Sequence, residues 1–278
     1  MILTEAGQRY RIHATLAVEA GEHAEDAATA LQNSPAGRLK ILAPMSFGLR
    51  QVAPLMAGFL LSYPDIEADL VLDDRHLDLI EQGLDVAIRA GQLHAPTLIV
   101  RKLADFHSML CATPEYLAQR APICAPEDLS KHNCLQFAYA ADAHFWSFGK
   151  PGEPTIRIET HGYFQTNSSE ALMDAVLGGL GIARLPTFIA GPVIAQRRPQ
   201  RLLGDYEMLS QPLSIFYPER RYLPVKVRAF IHFFADRLGT DQLEWDRCLR
   251  SIRTHSHSCT SHLLVCRLRC ARSAIVAG

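Results

Sequence analysis

The chain has 278 residues, of which 48% are hydrophobic and 21% are charged, a balance typical of globular proteins with one or two domains. Its formal net charge is −1, with 28 Lys and Arg against 29 Asp and Glu. That balance argues against a free-standing DNA binder, which would need a basic surface. No apolar run approaches the ~20 residues that span a bilayer. The N-terminus also lacks the order of a signal peptide, so we predict a cytoplasmic protein with no membrane partner.

Residues 4–32 are predicted to form one long helix with a narrow apolar seam. The seam residues recur at spacings of three or four: Ile12, Leu16, Ala20, Ala24, Ala27 and Leu31. So thin a stripe is typical of a helix that pairs with a second helix, although a surface helix packed on its own domain would give the same pattern. Pro35 and Gly37 then end the helix.

Strands and helices alternate after this break. The pattern predicts strands at 38–44, 66–74, 85–91, 98–103 and 106–113, and helices at 46–64 and 76–84. Pro54 should split or kink the first of these helices, or begin its main part. The second would place Leu77, Ile80 and Leu84 on one face. This order predicts a mostly parallel sheet with helices on both faces.

The second half of the chain repeats this alternation less regularly. Residues 155–166 are strand-like. Residues 167–186 indicate a helix followed by a strand, with glycines at 178, 179 and 181 that follow the helix and serve as C-caps, not as a phosphate loop. Residues 224–238 form a strongly amphipathic helix pattern with Pro224 at its start. Residues 248–278 differ, with four Cys, five Arg, three His and no Asp or Glu.

Several segments together resemble LysR-type transcriptional regulators. LTEAGQRYRIHATLAVEAGEHAEDA resembles the end of the wing and the linker helix of that family. GRLKILAPMSFGLRQVAPLMAGFLLSYPDIEADLVLDDRHLDLIEQGLDVAIRAGQL resembles the first half of the effector domain, and TNSSEALMDAVLGGLGIARLP and PLSIFYPERRYLPVKVRAFIHFFADRL match the second half and its return. The resemblance spans about residues 2–239, in family order and at family spacing.

The resemblance implies an α/β fold, a two-lobed periplasmic-binding-protein-like (type 2) effector domain preceded by a long linker helix. The implied division is a linker and dimerisation helix at 1–35, lobe I at 36–110 with 213–240, and lobe II at 111–212. The tail at 241–278 has no counterpart in the family, and its composition predicts an atypical, disordered segment. The resemblance also implies that the final helix packs on lobe I, that the protein forms a homodimer or tetramer, and that a small-molecule effector binds between the lobes. Promoter DNA would be contacted through an N-terminal domain that precedes this sequence, so we expect that this chain alone does not bind DNA specifically.

Two predicted helix starts are the candidate effector contacts. Helix N-termini offer unpaired N–H groups and partial positive charge, so carboxylates are natural ligands, and we expect an anionic or aromatic metabolite. The first start supplies Met45, Ser46 and Phe47, and the second supplies Thr166, Asn167 and Ser168. Capping alone would explain Ser46, and Asn167 with Glu170 has the spacing of a capping box.

Two further residues are candidates for the same site. Arg89 follows a predicted strand, where it pairs with an anionic ligand or makes a structural ion pair. Pro186 ends a strand and borders the mouth of the site. Asp73 and Asp74 look like a solvated loop at a strand end.

Other functions find less support in the sequence. No catalytic motif is present, so we predict no enzyme, no catalytic residue and no cofactor. Cys111 and Cys134 lack activating neighbours, which argues against a redox sensor. The tail offers His255, His257, Cys259, His262, Cys266 and Cys270, yet their spacing fits no standard zinc pattern, a frameshifted or read-through end would give the same mix, and we predict no metal. The alternative is a solute-binding protein of similar fold.

Overall fold

A computed structural model describes residues 34–75, 78–91, 97–140, 142–196, 199–219 and 223–239, with a few isolated positions before residue 22. The seam residues of the predicted linker helix and the whole tail at 241–278 lie outside the described residues. The chain divides into two units. Among the described residues, unit 1 combines those up to Phe106 with those from Ser210 to Gly239, and unit 2 is His107–Leu209. None of the described helices is long and apolar enough to cross a membrane.

Unit 1 is built on a five-stranded mixed sheet. Its strands are β1 Gly37–Ala43, β2 Ile66–Leu72, β3 Val86–Ala90, β4 Leu98–Phe106 and β13 Gln211–Pro218. Their order is β2-β1-β3-β13-β4. The first three run parallel, and β13 is antiparallel to both of its neighbours. Leu39, Ile41 and Leu42 of β1 are fully buried, as expected for a central strand of a parallel sheet that is covered on both faces.

The helical segment after β1 is interrupted, as the position of Pro54 predicts. It comprises α1 Met45–Phe47, a π-helical turn Gly48–Val52 and α2 Ala53–Ser62. Pro54 lies in the first turn of α2. Because proline has no N–H, it cannot close the ordinary helical bond to the residue four positions earlier. The wider turn directly precedes it, and α2 then continues regularly.

The last described helix packs on unit 1, which confirms the placement that the resemblance implied. Helix α6 spans Val225–Leu238, with Pro224 as its N-cap. Its Phe230 and Phe233 rings lie 5.6 and 5.3 Å from the ring of Phe59 on α2, both edge-on. Such edge-to-face contacts are favourable for buried aromatic rings.

The helix predicted at 76–84 is wrong in its described part. Residues 79–83 form turns, and Gly83 has φ +59°. Leu79 and Leu84 are the buried residues, whereas Ile80, which was expected on the apolar face, is 42% exposed. The left-handed glycine ends the turn before a regular helix can propagate, because glycine adopts positive φ without strain.

Unit 2 contains two sheets. The larger has the order β11-β5-β10-β6-β9 and the smaller β12-β7-β8. Their strands are β5 Ser108–Ala112, β6 Cys134–Phe137, β7 Phe145–Gly149, β8 Ile156–Glu159, β9 Gln165–Thr166, β10 Ile182–Pro186, β11 Gln200–Leu202 and β12 Glu207–Met208. Trp146 and Phe148 of β7 pack with Leu110, Cys134 and Ile182 of the larger sheet.

Three α-helices and a 3₁₀ helix accompany these sheets. They are α3 Pro114–Ala118, the 3₁₀ helix Pro126–Lys131, α4 Ser169–Leu177 and α5 Thr187–Ala195. After α4, the N–H of Leu180 donates to Ala175 O and that of Gly179, at φ +72°, donates to Val176 O. These bonds form a Schellman cap, so the prediction that the glycines cap a helix and form no phosphate loop is confirmed.

Candidate functional site

In unit 1, the candidate residues meet at the edge where the parallel strands β1 and β2 end. Pro44 turns the chain from β1 into α1, and its extended backbone makes it the N-cap, with no side-chain cap. The residues after β2 come alongside, because Asp73 N donates to Ala43 O at 3.0 Å. Asp74 Oδ2 accepts a hydrogen bond from Met45 N at 3.3 Å. A carboxylate of the protein itself therefore lies at the first N–H of the helical segment.

The side chains of α1 divide between the edge and the core. Ser46 and Phe47 are buried, whereas Met45 is partly exposed. Ser46 is the second residue of α1, so the alternative that it is simply the N-cap is wrong. A Cβ on Gly48 would overlap the Leu72 side chain. Glycine thus allows the close approach that holds the helix start against the end of β2.

Arg89 of β3 lies among these residues. It is 8% exposed, and its Nη2 donates to Arg75 O at 2.7 Å. Burial lowers the pKa of the guanidinium, while Asp73 and Asp74 act in the opposite direction. Its Nε has no hydrogen-bond partner within the described part of the chain. Such a buried donor is a candidate contact for a ligand acceptor.

Asp73 and Asp74 are not the solvated loop that the sequence suggested. The Asp73 carboxylate pairs with Arg75 at 2.6 Å and its side chain is 17% exposed. The pKa of Asp73 is lowered, chiefly by the side-chain hydrogen bond from Arg75. Both aspartates belong to the candidate edge, and sequence reasoning missed them because a strand that ends in acidic residues is usually exposed.

In unit 2, Thr166, Asn167 and Ser168 precede α4. Ser168 is the N-cap, and its Oγ accepts from Ala171 N at 3.2 Å. Thr166 Oγ1 in turn accepts from Ser168 N at 3.2 Å. The capping box predicted at Asn167 and Glu170 is therefore wrong: the cap falls one residue later, at Ser168, whose N3 residue is Ala171. Asn167 is exposed, and its side chain bonds to no other described residue.

Pro186 lies at the same edge of the unit 2 sheet as Thr166. Strands β9, β6 and β10 are parallel, and they end at Thr166, Phe137 and Pro186. Pro186 is also the N-cap of α5, where its fixed φ suits the turn from strand to helix. The structure thus brings Thr166, Asn167, Ser168 and Pro186 to one edge.

The two cysteines considered for redox sensing are buried in unit 2. Cys111 and Cys134 are free thiols, and burial raises the pKa of each to about 12. Since the thiolate is the reactive form, both are poor nucleophiles at neutral pH. No group of three or more His, Cys, Asp or Glu that could hold a metal occurs among the described residues.

The fold defines a class of protein: the two-unit α/β proteins of the periplasmic-binding-protein-like type. Comparison with known proteins gives the family. The model of the LysR substrate binding domain matches residues 32–239, so the chain belongs to the LysR family of transcriptional regulators. It contains the effector-binding regulatory domain of that family, and the fold class predicted from the sequence is confirmed.

Individual relatives agree with this assignment. The chain is 33% identical over 211 residues to the HTH-type transcriptional regulator PtxR of Pseudomonas aeruginosa, covering 76% of this chain and 67% of that protein. It is 32% identical over 238 residues to the probable HTH-type transcriptional regulator LtrA of Klebsiella pneumoniae, with 84% and 76% covered. The regulatory domain of CrgA from Neisseria meningitidis superposes with a TM-score of 0.65 at 31% identity, covering 74% of this chain and all of that domain.

Proposed function

We propose that this protein regulates transcription in response to a small anionic or aromatic metabolite, and that each unit offers a polar strand edge as a candidate for effector contacts. The contacts in unit 1 are Met45, Ser46, Phe47 and Arg89, and those in unit 2 are Thr166, Asn167, Ser168 and Pro186. No catalytic step is assigned to the chain. A regulator of transcription works where the chromosome lies, so the proposal places it in the cytoplasm, as a homodimer or tetramer that reaches promoter DNA through an N-terminal DNA-binding domain.

The buried Arg89 is the observation that carries the proposal. A guanidinium with an unpartnered Nε beside the start of a helical segment can donate hydrogen bonds to a ligand carboxylate at little reorganisation cost. The carboxylate of Asp74 on Met45 N supports the same reading, because it shows that this N–H accommodates an anionic oxygen. An effector with a carboxylate could then compete with Asp74 for it.

The test is a thermal-shift screen of the full chain against a metabolite library, followed by calorimetry on the compounds that stabilise it. We expect Arg89→Gln to weaken binding at least about tenfold, because a charge-assisted hydrogen bond is lost. Ser46→Ala and Asn167→Ala should weaken it several-fold. Arg38→Gln is the matched control, since Arg38 is an exposed unit 1 arginine paired with Asp69. Unchanged affinity in all three site variants would contradict the proposal.

A further inference from the structure

Two polar side chains occupy neighbouring strands of unit 2, and one of them has a buried acceptor without a partner among the described residues. Gln136 lies on β6 and Arg184 on β10. These strands are parallel, with Ile182 opposite Cys134 and Ala183 opposite Leu135. The next step of the register places Arg184 beside Gln136 on the same face of the sheet. Arg184 is two residues from Pro186, so the pair lies near the edge already assigned to the effector.

The orientation of the Gln136 amide is fixed by its surroundings. Its Nε2 donates to Cys134 O at 3.1 Å, to Thr160 O at 3.4 Å and to Thr160 Oγ1 at 3.2 Å. Reversing the amide would place Oε1 against two carbonyl oxygens, which accept and cannot donate. Oε1 is therefore an acceptor, yet it has no donor among the described residues although Gln136 is 2% exposed. Such a buried acceptor is a candidate contact for a donor group of a ligand.

The Arg184 guanidinium carries N–H donors, which complement the acceptor oxygen of Gln136. It is partly buried, and no described residue accepts a hydrogen bond from it. Burial lowers its pKa and the negative charge of Asp142 raises it. Asp142 itself is exposed and pairs with Arg157 at 3.2 Å. Asp142 therefore attracts Arg184 through space and leaves its donors unused.

We propose that Arg184 and Gln136 form a recognition subsite for a small carboxylic acid that carries a hydroxyl next to its carboxylate. The guanidinium donates its fork of N–H groups to the carboxylate. The hydroxyl of the ligand donates to Oε1 of Gln136. The subsite rests on the function proposed above and deepens it, because it names the chemical class of the effector.

This chemistry discriminates between close analogues. A carboxylic acid without the hydroxyl satisfies Arg184 but leaves the buried Oε1 of Gln136 unpaired. Sites built to bond a ligand hydroxyl reject analogues that lack it far more strongly than apolar pockets reject a missing methylene. The prediction is therefore a preference within matched pairs of acids, which a general affinity for anions would not produce.

The experiment measures binding of two such pairs to the full chain by thermal shift and calorimetry. The probes are lactate with propionate, and 2-hydroxybenzoate with benzoate. We expect the hydroxy acid of at least one pair to stabilise the wild-type chain more than its partner. Arg184→Gln should weaken binding of that hydroxy acid about 10- to 100-fold. Gln136→Met should abolish the preference while binding of the plain acid remains.

Controls separate this subsite from the general proposal. Arg157→Gln removes a charge next to the same Asp142 and should leave binding unchanged. Arg184→Lys keeps the charge and covers the case in which Arg184→Gln does not fold. Unaltered affinity in both Arg184 variants, or no response of the wild-type chain to either hydroxy acid, would overturn the subsite. If binding of a compound found in the metabolite screen still depends on Arg89, the function proposed above stands without the subsite. If that binding depends on neither Arg89 nor Arg184, both proposals are contradicted.

Discussion

The charged amino group of Lys226 lies in a buried part of unit 1. Its Nζ donates to Arg38 O at 2.8 Å and lies 3.9 Å from Asp85 Oδ1, and the two side chains are 9% and 13% exposed. The other carboxylate oxygen of Asp85 accepts from Lys40 N at 2.9 Å. The pair thus joins the start of α6 to β1 and to the residue before β3. Removing one member would leave the other charge buried.

We predict that Lys226→Met lowers the free energy of unfolding by on the order of 3 kcal/mol, because Asp85 loses its counter-charge. Adding Asp85→Asn should recover part of this loss, since the amide oxygen can still accept from Lys40 N. Urea unfolding measures both changes. Lys102→Met is the control, because Lys102 pairs with Asp105 at the surface and should cost less than about 1 kcal/mol. Equal losses for Lys226 and Lys102 would refute the argument.

His132 is a buried histidine held in its neutral form. Tyr116 Oη accepts from Asn133 N at 3.0 Å and lies within hydrogen-bond distance of His132 Nδ1, at 3.4 Å. Nε2 has no partner among the described residues. Burial is the main cause that lowers the pKa of His132; Arg120 and Lys131 lower it further, while the Ala121 carbonyl and Asp128 oppose the shift.

Stability should therefore depend on pH through this residue. The unfolded chain protonates His132 near its ordinary pKa of about 6.5, whereas the folded chain does so at a lower pH. Below about pH 6.5 the unfolded state binds more protons, so stability is full above that value and falls as pH decreases through it. His132→Gln should reduce the slope of unfolding free energy against pH in this window. An unchanged slope in His132→Gln would show that another group dominates.

The pairing of β6 with β10 depends on a glycine that directly precedes β10. Ile182 N donates to Asn133 O at 2.9 Å, and Asn133 Nδ2 donates to Leu180 O at 2.7 Å. A Cβ on Gly181 would overlap Asn133 O and would lie 3.0 Å from Asn133 Nδ2. The contact involves backbone, which cannot move without separating the strands. Glycine is thus required here for close approach and not for positive φ.

Gly181→Ala should destabilise the protein by on the order of 3 kcal/mol, because the strands must shift to admit the methyl group. The same substitution at Gly204 meets no atom within 4 Å and should change stability little. Thermal unfolding of the two variants provides the comparison. Near-equal melting temperatures would mean that the strand pair tolerates the displacement.

The sequence predicts best those elements in which apolar residues recur at a regular spacing. The apolar run of β1 and the amphipathic pattern of α6 are of this kind, because burial of one face or both decides the structure. The helix prediction for residues 79–83 is wrong because the left-handed conformation of Gly83 and the burial of Leu79 and Leu84 depend on the tertiary structure, which the sequence pattern does not show. The sequence pattern does not predict helix α5, because the helix contains Gly191 and Pro192, which normally interrupt helices.

The candidate site follows the same division. Residues directly at a strand end or helix start, such as Ser46 and Ser168, could be chosen from local sequence. Asp74, Gln136 and Arg184 could not, because their importance lies in a hydrogen bond across the sheet edge or in a missing partner on a neighbouring strand. A local sequence pattern does not show which buried polar atoms lack a hydrogen-bond partner.

At the scale of the whole molecule, the N-terminal segment is where self-association is expected. The apolar seam at Leu16 and Ala20 is a prediction from spacing, and its residues lie outside the described part of the structure. Ala17 is described, is helical and is exposed. A seam of four-residue and three-residue spacing buries little surface on its own domain and is best satisfied by the same seam on a second copy.

We therefore predict that Leu16→Glu combined with Ala20→Glu weakens the dimer, because two like charges per chain would meet in an apolar seam and would have to be desolvated there. Light scattering over a dilution series should show a larger monomer fraction than in the wild-type chain. Ala17→Glu adds a charge one position from the seam and should leave the mass unchanged, which separates a specific seam from a general effect of acidity. If the double variant keeps the wild-type mass at every concentration, association uses another surface and the seam is an ordinary helix face.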